Sequence, residues 1–278
     1  MTNELQQKID HSIRIIQLGV RKYPVEVSFS GGKDSEVILE LTKMAGVPYR
    51  AIYKNTTIDP PGTIAHCKSK GVEILAPTIP FFNLVEMKGM PTRRARFCCD
   101  KMKEYKVLSV AIQGIRRSES TKRAARYSSD DPIICRSYGA KSRTVQVILP
   151  ILDWTDQDVE EFITERHIQC HPLYYNRDGE FIVSRRLGCI GCPLKADNGI
   201  GDWLQYPLMF RRLVKAVVTW WNTHPNTSSR KKFRNPYAII AHNLFYRSYE
   251  KFTEADAVIS NKGDWKIYLE DYFNVALD

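Results

Sequence analysis

No stretch of this 278-residue chain approaches the ~18 consecutive apolar residues that a membrane-spanning helix needs, so a membrane-embedded protein is not expected. The first ten residues are polar and lack an apolar stretch after a basic start, which is not the pattern of a secretory signal, and a cytoplasmic location is expected. Two common phosphate loops are missing as well: there is neither Gly-x-x-x-x-Gly-Lys-Ser/Thr nor Gly-x-Gly-x-x-Gly, which excludes a Walker A nucleotidase and an ordinary dinucleotide-binding fold. An acidic balance is also absent. Lys and Arg number 41 against 31 Asp and Glu, a formal charge of +10, and such an excess suits a polyanionic partner, nucleotide or nucleic acid. The seven cysteines are an odd number in a chain expected to be cytoplasmic, which argues against a disulfide framework and turns attention to metal.

What is present is organised around residues 25–42. Val25, Val27 and Phe29 alternate as in a short strand, and Val37, Ile38, Leu39 and Leu41 follow at helical spacing. Between them stands Ser30-Gly31-Gly32-Lys33-Asp34-Ser35. Glycines let a backbone approach a bulky ligand, and a helix starting near Asp34 and Ser35 aims unpaired N–H groups and a partial positive charge at the turn. An anion is expected there. The six residues resemble the Ser-Gly-Gly-x-Asp-Ser pyrophosphate loop of the adenine nucleotide α-hydrolase superfamily, whose nucleotide triphosphatases cut between the α and β phosphates.

The rest of the chain reads as a leading helix over 3–20, strands at 49–53, 72–75 and 107–115, a short helix at 81–88, and a helix from Asp153 to Ile168 with a near capping box of Thr155 and Asp158. Strands alternating with helices imply an α/β fold with an open parallel sheet and helices on both faces, its ligand at the carboxyl ends of the strands. Residues 1–195 are expected to form the nucleotide-binding domain with the metal ligands, and 196–278 a helical C-terminal region. Trp154, His167 and His171 read as packing residues, and the Trp203–Trp221 aromatics as a core face. Basic residues cluster at Arg93, Arg94 and Arg96, at Arg116 and Arg117, and at Arg230, Lys231 and Lys232.

The resemblance becomes specific with the later segments. Gly114-Ile-Arg116-Arg117-Ser118-Glu119-Ser120 is similar to a Gly-x-Arg-x-x-Glu-Ser segment, and Pro150-Ile-Leu-Asp153-Trp154 through Val159 to a Pro-Leu-x-x-Trp-x-x-x-x-Val segment, of the phosphoadenosine phosphosulfate (PAPS) reductase family. An Asp-Thr-Gly-like segment of that family is replaced here by Asn55-Thr56-Thr57. The resemblance implies ATP and Mg²⁺, with Ser28, Ser30, Gly31, Gly32, Lys33, Asp34, Ser35, Thr56, Gly114 and Arg116 around the nucleotide. Asp34 would help position magnesium, Ser35 hold pyrophosphate, and Arg116 stabilise developing charge. Thr56, Thr57 and Asp59 are expected to face the same crevice as Ser30.

Cys98-Cys99 and Cys189-Ile-Gly-Cys192 form the second constellation. Four thiolates serve zinc or an iron–sulfur cluster. Adjacent cysteines are awkward for one tetrahedral zinc, whereas the separate irons of a cube can each take one. The order Cys-Cys, long gap, Cys-x-x-Cys also resembles the [4Fe–4S] ligand set of the adenylylsulfate-reducing branch of the family. Cys67, Cys135 and Cys170 have no partner spacing and read as structural.

Family reductases act through a cysteine in a C-terminal Glu-Cys-Gly-x-His segment, and no cysteine follows Cys192 in this sequence. The combination is similar to the sulfur-insertion ATP pyrophosphatases of bacterial DNA phosphorothioation systems. That resemblance implies adenylation of a nucleic-acid phosphate, DNA being favoured and tRNA the alternative, with a cysteine desulfurase as sulfur donor. A reductase using an external thiol, a tRNA-thiolating enzyme and a nucleotide-regulated cluster scaffold are the competing expectations.

Overall fold

The computed structural model describes residues 2–20, 25–138, 143–262 and 264–277, with the side chains of 260–262 outside the description. Contacts divide the chain into two compact units. The first comprises 1–55, 59–76 and 100–188; the second comprises 56–58, 77–99 and 189–278. The unit that holds the C-terminal helices takes in the chain from Cys189 onward together with both Cys98 and Cys99, which the sequence reading put with residues 1–195.

The first unit is built on six strands, β1 (Glu26–Phe29), β2 (Arg50–Lys54), β3 (Glu73–Leu75), β4 (Val110–Ile112), β5 (Ile133–Tyr138) and β6 (Arg143–Ile148), in the order β3-β2-β1-β4-β6-β5. All pairings are parallel except β5 with β6, so the open parallel sheet expected from the sequence carries one antiparallel edge strand. Alternation divides the buried side chains between the two faces. Val110, Ile112 and Ile148 join the cluster around Val27, Phe29, Val37, Ile38 and Leu41, while Ala111, Val145 and Val147 join a second cluster with Tyr127, Tyr138 and Leu149. The chain runs outward from β1 to β2 and β3, then returns to β4 on the other side of β1. This is the switch point at whose strand ends α/β ligands bind.

Three helices cover the first of these faces: Asn3–Gly19, Lys33–Met44 and Asp156–Glu165. The last has the expected capping box, Thr155 and Asp158 each bonding the other's backbone N–H, and Trp154 is core, its indole N–H donating to Ser12 Oγ at 3.1 Å.

The second unit is helical. Its core is the face predicted from the aromatic spacing: Phe210, Val214, Val217, Trp220 and Trp221 of the helix Pro207–Thr223 are buried, with Trp203 from the preceding helix Ile200–Gln205. The helix Phe81–Lys88 packs along the same helix, and Pro236–Phe245 and Trp265–Phe273 complete the bundle. No helix among the described residues is long and apolar enough to cross a membrane.

Candidate functional site: a phosphate loop and a group of four thiols

The loop at the carboxyl end of β1 has the form its residues dictate. Gly31 sits at φ +77°, the left-handed region that side chains avoid, and an added Cβ would lie 3.1 Å from a Leu187 methyl. Gly32 caps the helix Lys33–Met44 without a side-chain hydrogen bond. The amide N–H groups of Gly31 and Asp34 have no hydrogen-bond partner among the described residues. Unsatisfied amides at the start of a three-turn helix are the donors that bind phosphate. The hydroxyls of Ser30 and Ser35 lie 3.3 Å apart beside them, Ser35 Oγ also donating to Gly32 O at 2.7 Å.

Lys33 is 3% exposed, with its Nζ 3.7 Å from Asp34 Oδ2. Burial lowers its pKa below the ordinary 10.5, partly opposed by the Asp34 charge. Tyr174 holds the loop from outside its sequence: its buried hydroxyl accepts from the backbone N–H of both Lys33 and Leu187 at 3.2 Å, and burial pushes its pKa up to about 12. Nothing in the sequence around Tyr174 has a recognisable spacing, so it was missed.

Arg116 stands behind Asp34. It was expected to meet phosphate, but its side chain is 1% exposed and Nε donates to Asp34 Oδ1 at 2.6 Å, Nη1 to Ser118 Oγ and Trp154 O, and Nη2 to Asp156 Oδ1 at 2.7 Å. With four of its roughly five N–H donors committed, it braces Asp34 from behind. Gly114 serves the same close approach, since a Cβ there would lie 2.7 Å from Asp34 O. The Ser28 hydroxyl donates to Glu26, two residues back on the same face of β1, and that buried carboxylate is paired with Lys54 at 2.9 Å. His171 is structural as expected, fully buried with Nδ1 accepting from Leu173 N–H.

Thr56 and Thr57 belong to the second unit, while Asp59 stays in the first and accepts from the Tyr53 hydroxyl. Thr56 is buried and takes a hydrogen bond from the Cys189 thiol at 3.5 Å, and Thr57 Oγ1 accepts from Phe81 N–H. Thr56 and Thr57 thus make these contacts within the cysteine-bearing unit, and Asp59 within the first.

Cys98, Cys99, Cys189 and Cys192 all lie in that unit and are half-buried. The Cys98 thiol is held well above its usual range by its hydrogen bond with Cys99, by burial, and by the charges of Cys99, Cys189 and Cys192. The Cys98 sulfur therefore senses the other three. Among the described residues no group of three or more His, Cys, Asp and Glu side chains is closed on a single metal ion. Two donors accompany the thiols. Arg96 Nη2 lies 3.6 Å from Cys99 Sγ, and the fully buried indole N–H of Trp203, whose ring lies against Gly191 between Cys189 and Cys192, has no partner among the described residues. Four cysteine sulfurs, a guanidinium and an indole N–H form a donor set that suits an iron–sulfur core, whose irons take thiolate ligands and whose sulfurs accept hydrogen bonds. Of the three remaining cysteines, Cys67 and Cys170 are buried, with thiol pKa values pushed up to about 12, first by burial, whereas Cys135 is exposed on the edge strand.

The model of the phosphoadenosine phosphosulfate reductase domain matches residues 24–195. Among curated proteins, an uncharacterised protein of Methanocaldococcus jannaschii is 30% identical over 217 residues, 71% of this chain and 48% of its own length. An uncharacterised 37.8 kDa protein of Escherichia phage 186 is 30% identical over 139 residues, 45% and 38% respectively. The chain thus spans half or less of the length of these relatives. Solved structures with a similar course include the PAPS reductase of Candida auris in a phosphate complex, at 16% identity, 62% and 91% coverage and a TM-score of 0.44. Another is a U34-tRNA thiolase of Methanococcus maripaludis with its [4Fe–4S] cluster, at 14% identity, 80% and 82% coverage and a TM-score of 0.41. The phosphate loop after β1 and the match over 24–195 place the chain in one group: it belongs to the phosphoadenosine phosphosulfate reductase domain family.

Proposed function

We propose that the chain is an ATP pyrophosphatase that adenylates a nucleic-acid phosphate, the DNA backbone before tRNA, so that sulfur from a cysteine desulfurase can replace an oxygen. The observation that carries the nucleotide half of this reading is the pair of unpartnered amides, Gly31 and Asp34, beside the Ser30 and Ser35 hydroxyls. These groups hold the pyrophosphate portion of ATP, and the Lys33 ammonium offsets its charge as it becomes the leaving group. Arg116 fixes Asp34 Oδ1, and Oδ2, which faces Lys33 Nζ at 3.7 Å, is the oxygen that would turn to magnesium once Lys33 meets the phosphates. A phosphate oxygen of the nucleic acid attacks the α-phosphorus, the bond to the β-phosphate oxygen breaks, and pyrophosphate departs. A persulfide sulfur then displaces AMP, and a second thiol reduces the resulting disulfide link.

Cys98, Cys99, Cys189 and Cys192 hold a [4Fe–4S] cluster, which supplies electron-transfer or sulfur-binding chemistry when present. Arg96 and Trp203 are the residues that would donate hydrogen bonds to it. The net charge of +10 supports a polyanionic substrate. The test incubates anaerobically purified protein with ATP, cysteine, a desulfurase and either DNA or tRNA, then digests the nucleic acid for mass spectrometry. A phosphorothioate-linked dinucleotide is expected. A thiolated base would move the assignment to tRNA thiolation, and sulfite formed from adenylylsulfate or its 3′-phosphate would move it to a reductase.

A further inference from the structure

The second unit contains a cleft of about 650 Å³, formed by the turn 92–94, by Pro193 and Asn198, and by residues 242–249. Ligand pockets span about 300–1,000 Å³, so the cleft has room for a nucleotide. The turn is fixed: the Thr92 hydroxyl accepts from the N–H of Arg94 and Ala95, and Arg93 donates to Asn198 Oδ1 at 3.0 Å and to Lys195 O at 2.5 Å. With Arg93 occupied in this way, Arg94 is displayed from an ordered support. Arg247 approaches from the helical side. The guanidinium groups of Arg94 and Arg247 have no hydrogen-bond or ion-pair partner among the described residues, and no acidic side chain lines the cleft. Uncompensated cations at a concave surface are an anion site in waiting.

The same cleft has an aromatic wall. Tyr249 is 40% exposed, yet its ring is buttressed edge-on by Phe233 and its hydroxyl is tied to Lys232 O at 2.6 Å. Tyr246 beside it packs on Phe252 and Trp265. Lys232 Nζ lies over the Tyr249 ring, 5.7 Å from its centroid, so the half-exposed tyrosine offers a fixed, partly open aromatic surface bordered by cations, which is what an unstacked base requires. The bases of a duplex are enclosed by stacking and pairing, so a single strand is the form that fits.

We propose that this cleft seats a nucleotide of a single-stranded nucleic-acid segment, its phosphates on Arg94 and Arg247 and its base against Tyr249. The proposal deepens the reading above, resting on a nucleic-acid substrate and naming its strand state and its seat. Pro193 follows Cys192 directly in the chain, so the seated strand lies beside the cysteine loop. The Arg230–Lys232 cluster, by contrast, is partly consumed within the fold, with Arg230 donating to Trp221 O at 2.8 Å.

The test measures the anisotropy of a fluorescein-labelled single-stranded oligonucleotide over a salt series. Because Arg94 and Arg247 are exposed, Arg94→Gln with Arg247→Gln should preserve the fold, the iron content and ATP binding. It should weaken the oligonucleotide at least tenfold and reduce the log–log salt slope by about 1.4, or ~0.7 for each of two phosphates. Tyr249→Leu should cost about tenfold and leave the slope unchanged. Unaltered affinity and slope in the double arginine variant overturns the inference, as does duplex bound as tightly as single strand. Displacement by AMP at the same concentration as the oligonucleotide also overturns it, in favour of a free-nucleotide pocket. If the wild type binds the oligonucleotide independently of these residues, the inference alone fails. If it binds no nucleic acid, the proposed function fails with it.

Discussion

Replacing Gly191 by alanine isolates the packing that shapes the Cys189–Cys192 loop. Gly191 has φ +65°, and a Cβ there would overlap the Trp203 ring, which is 1% exposed and has no room to retreat. Gly199 closes the other side, its own Cβ position lying 2.5 Å from the Gly191 carbonyl carbon. Two costs add: about 1–2 kcal/mol for placing a side chain in the left-handed region, and about 1–3 kcal/mol for overpacking a filled site. The sum, roughly 2–5 kcal/mol, is a large share of the ~5–15 kcal/mol stability of a typical domain. Urea unfolding followed by far-UV circular dichroism, on protein prepared without iron, measures the cost in the wild type and in a Trp203→Leu background. Trimming the ring should remove the overlap and leave only the backbone strain, so the cycle should show about 1–3 kcal/mol of coupling. Equal costs in the two backgrounds would refute the claim that Trp203 sets the shape of the loop.

Anaerobically purified protein should be brown and hold about four irons per chain on Cys98, Cys99, Cys189 and Cys192; stoichiometric zinc without iron would show a different metal. Ser35→Ala should slow ATP cleavage by about 10²–10³-fold through loss of a phosphate donor, with iron content unchanged, and Asp34→Ala should slow it as well; unchanged turnover in both removes the loop from the mechanism. Because the Lys33 pKa is lowered by burial, pyrophosphate affinity measured by calorimetry should fall as pH rises through that lowered value, before an exposed lysine titrates. Across the same window the unfolded chain binds the extra proton, so the Lys33 contribution to the stability of the ligand-free protein rises with pH. Affinity that holds until the ordinary 10.5 contradicts the buried placement.

The loop was legible because its chemistry is local. Six consecutive residues between a strand and a helix carry the pattern, and the observed β1 and helix Lys33–Met44 fall where alternation and helical spacing put them. The capped helix after Trp154 was legible for the same reason. What the motifs do not show is which partners packing brings to each side chain, near or far along the chain. Arg116 looks like a phosphate ligand from its motif, but only the fold shows Asp34, Ser118 and Asp156 converging on it. Ser28 lies on the strand two residues from a buried Glu26 that draws its hydroxyl away. Thr56 lies beside Cys189, far along the chain. The β5–β6 hairpin was overlooked because Ile133–Tyr138 mixes charged and apolar residues at an edge, where one face is solvated. Trp203 read correctly as core, yet its unpartnered N–H against the cysteine loop follows from packing alone.

The central claim is that the Ser30–Ser35 loop directs cleavage between the α and β phosphates of ATP. Anaerobic incubation of the iron-loaded protein with ATP labelled in its α-phosphate, in the presence of nucleic acid, followed by chromatographic separation of the products, tests it directly. The account predicts AMP, free or transferred, together with an equal amount of pyrophosphate, both strongly reduced in Ser35→Ala; ADP with inorganic phosphate would contradict it.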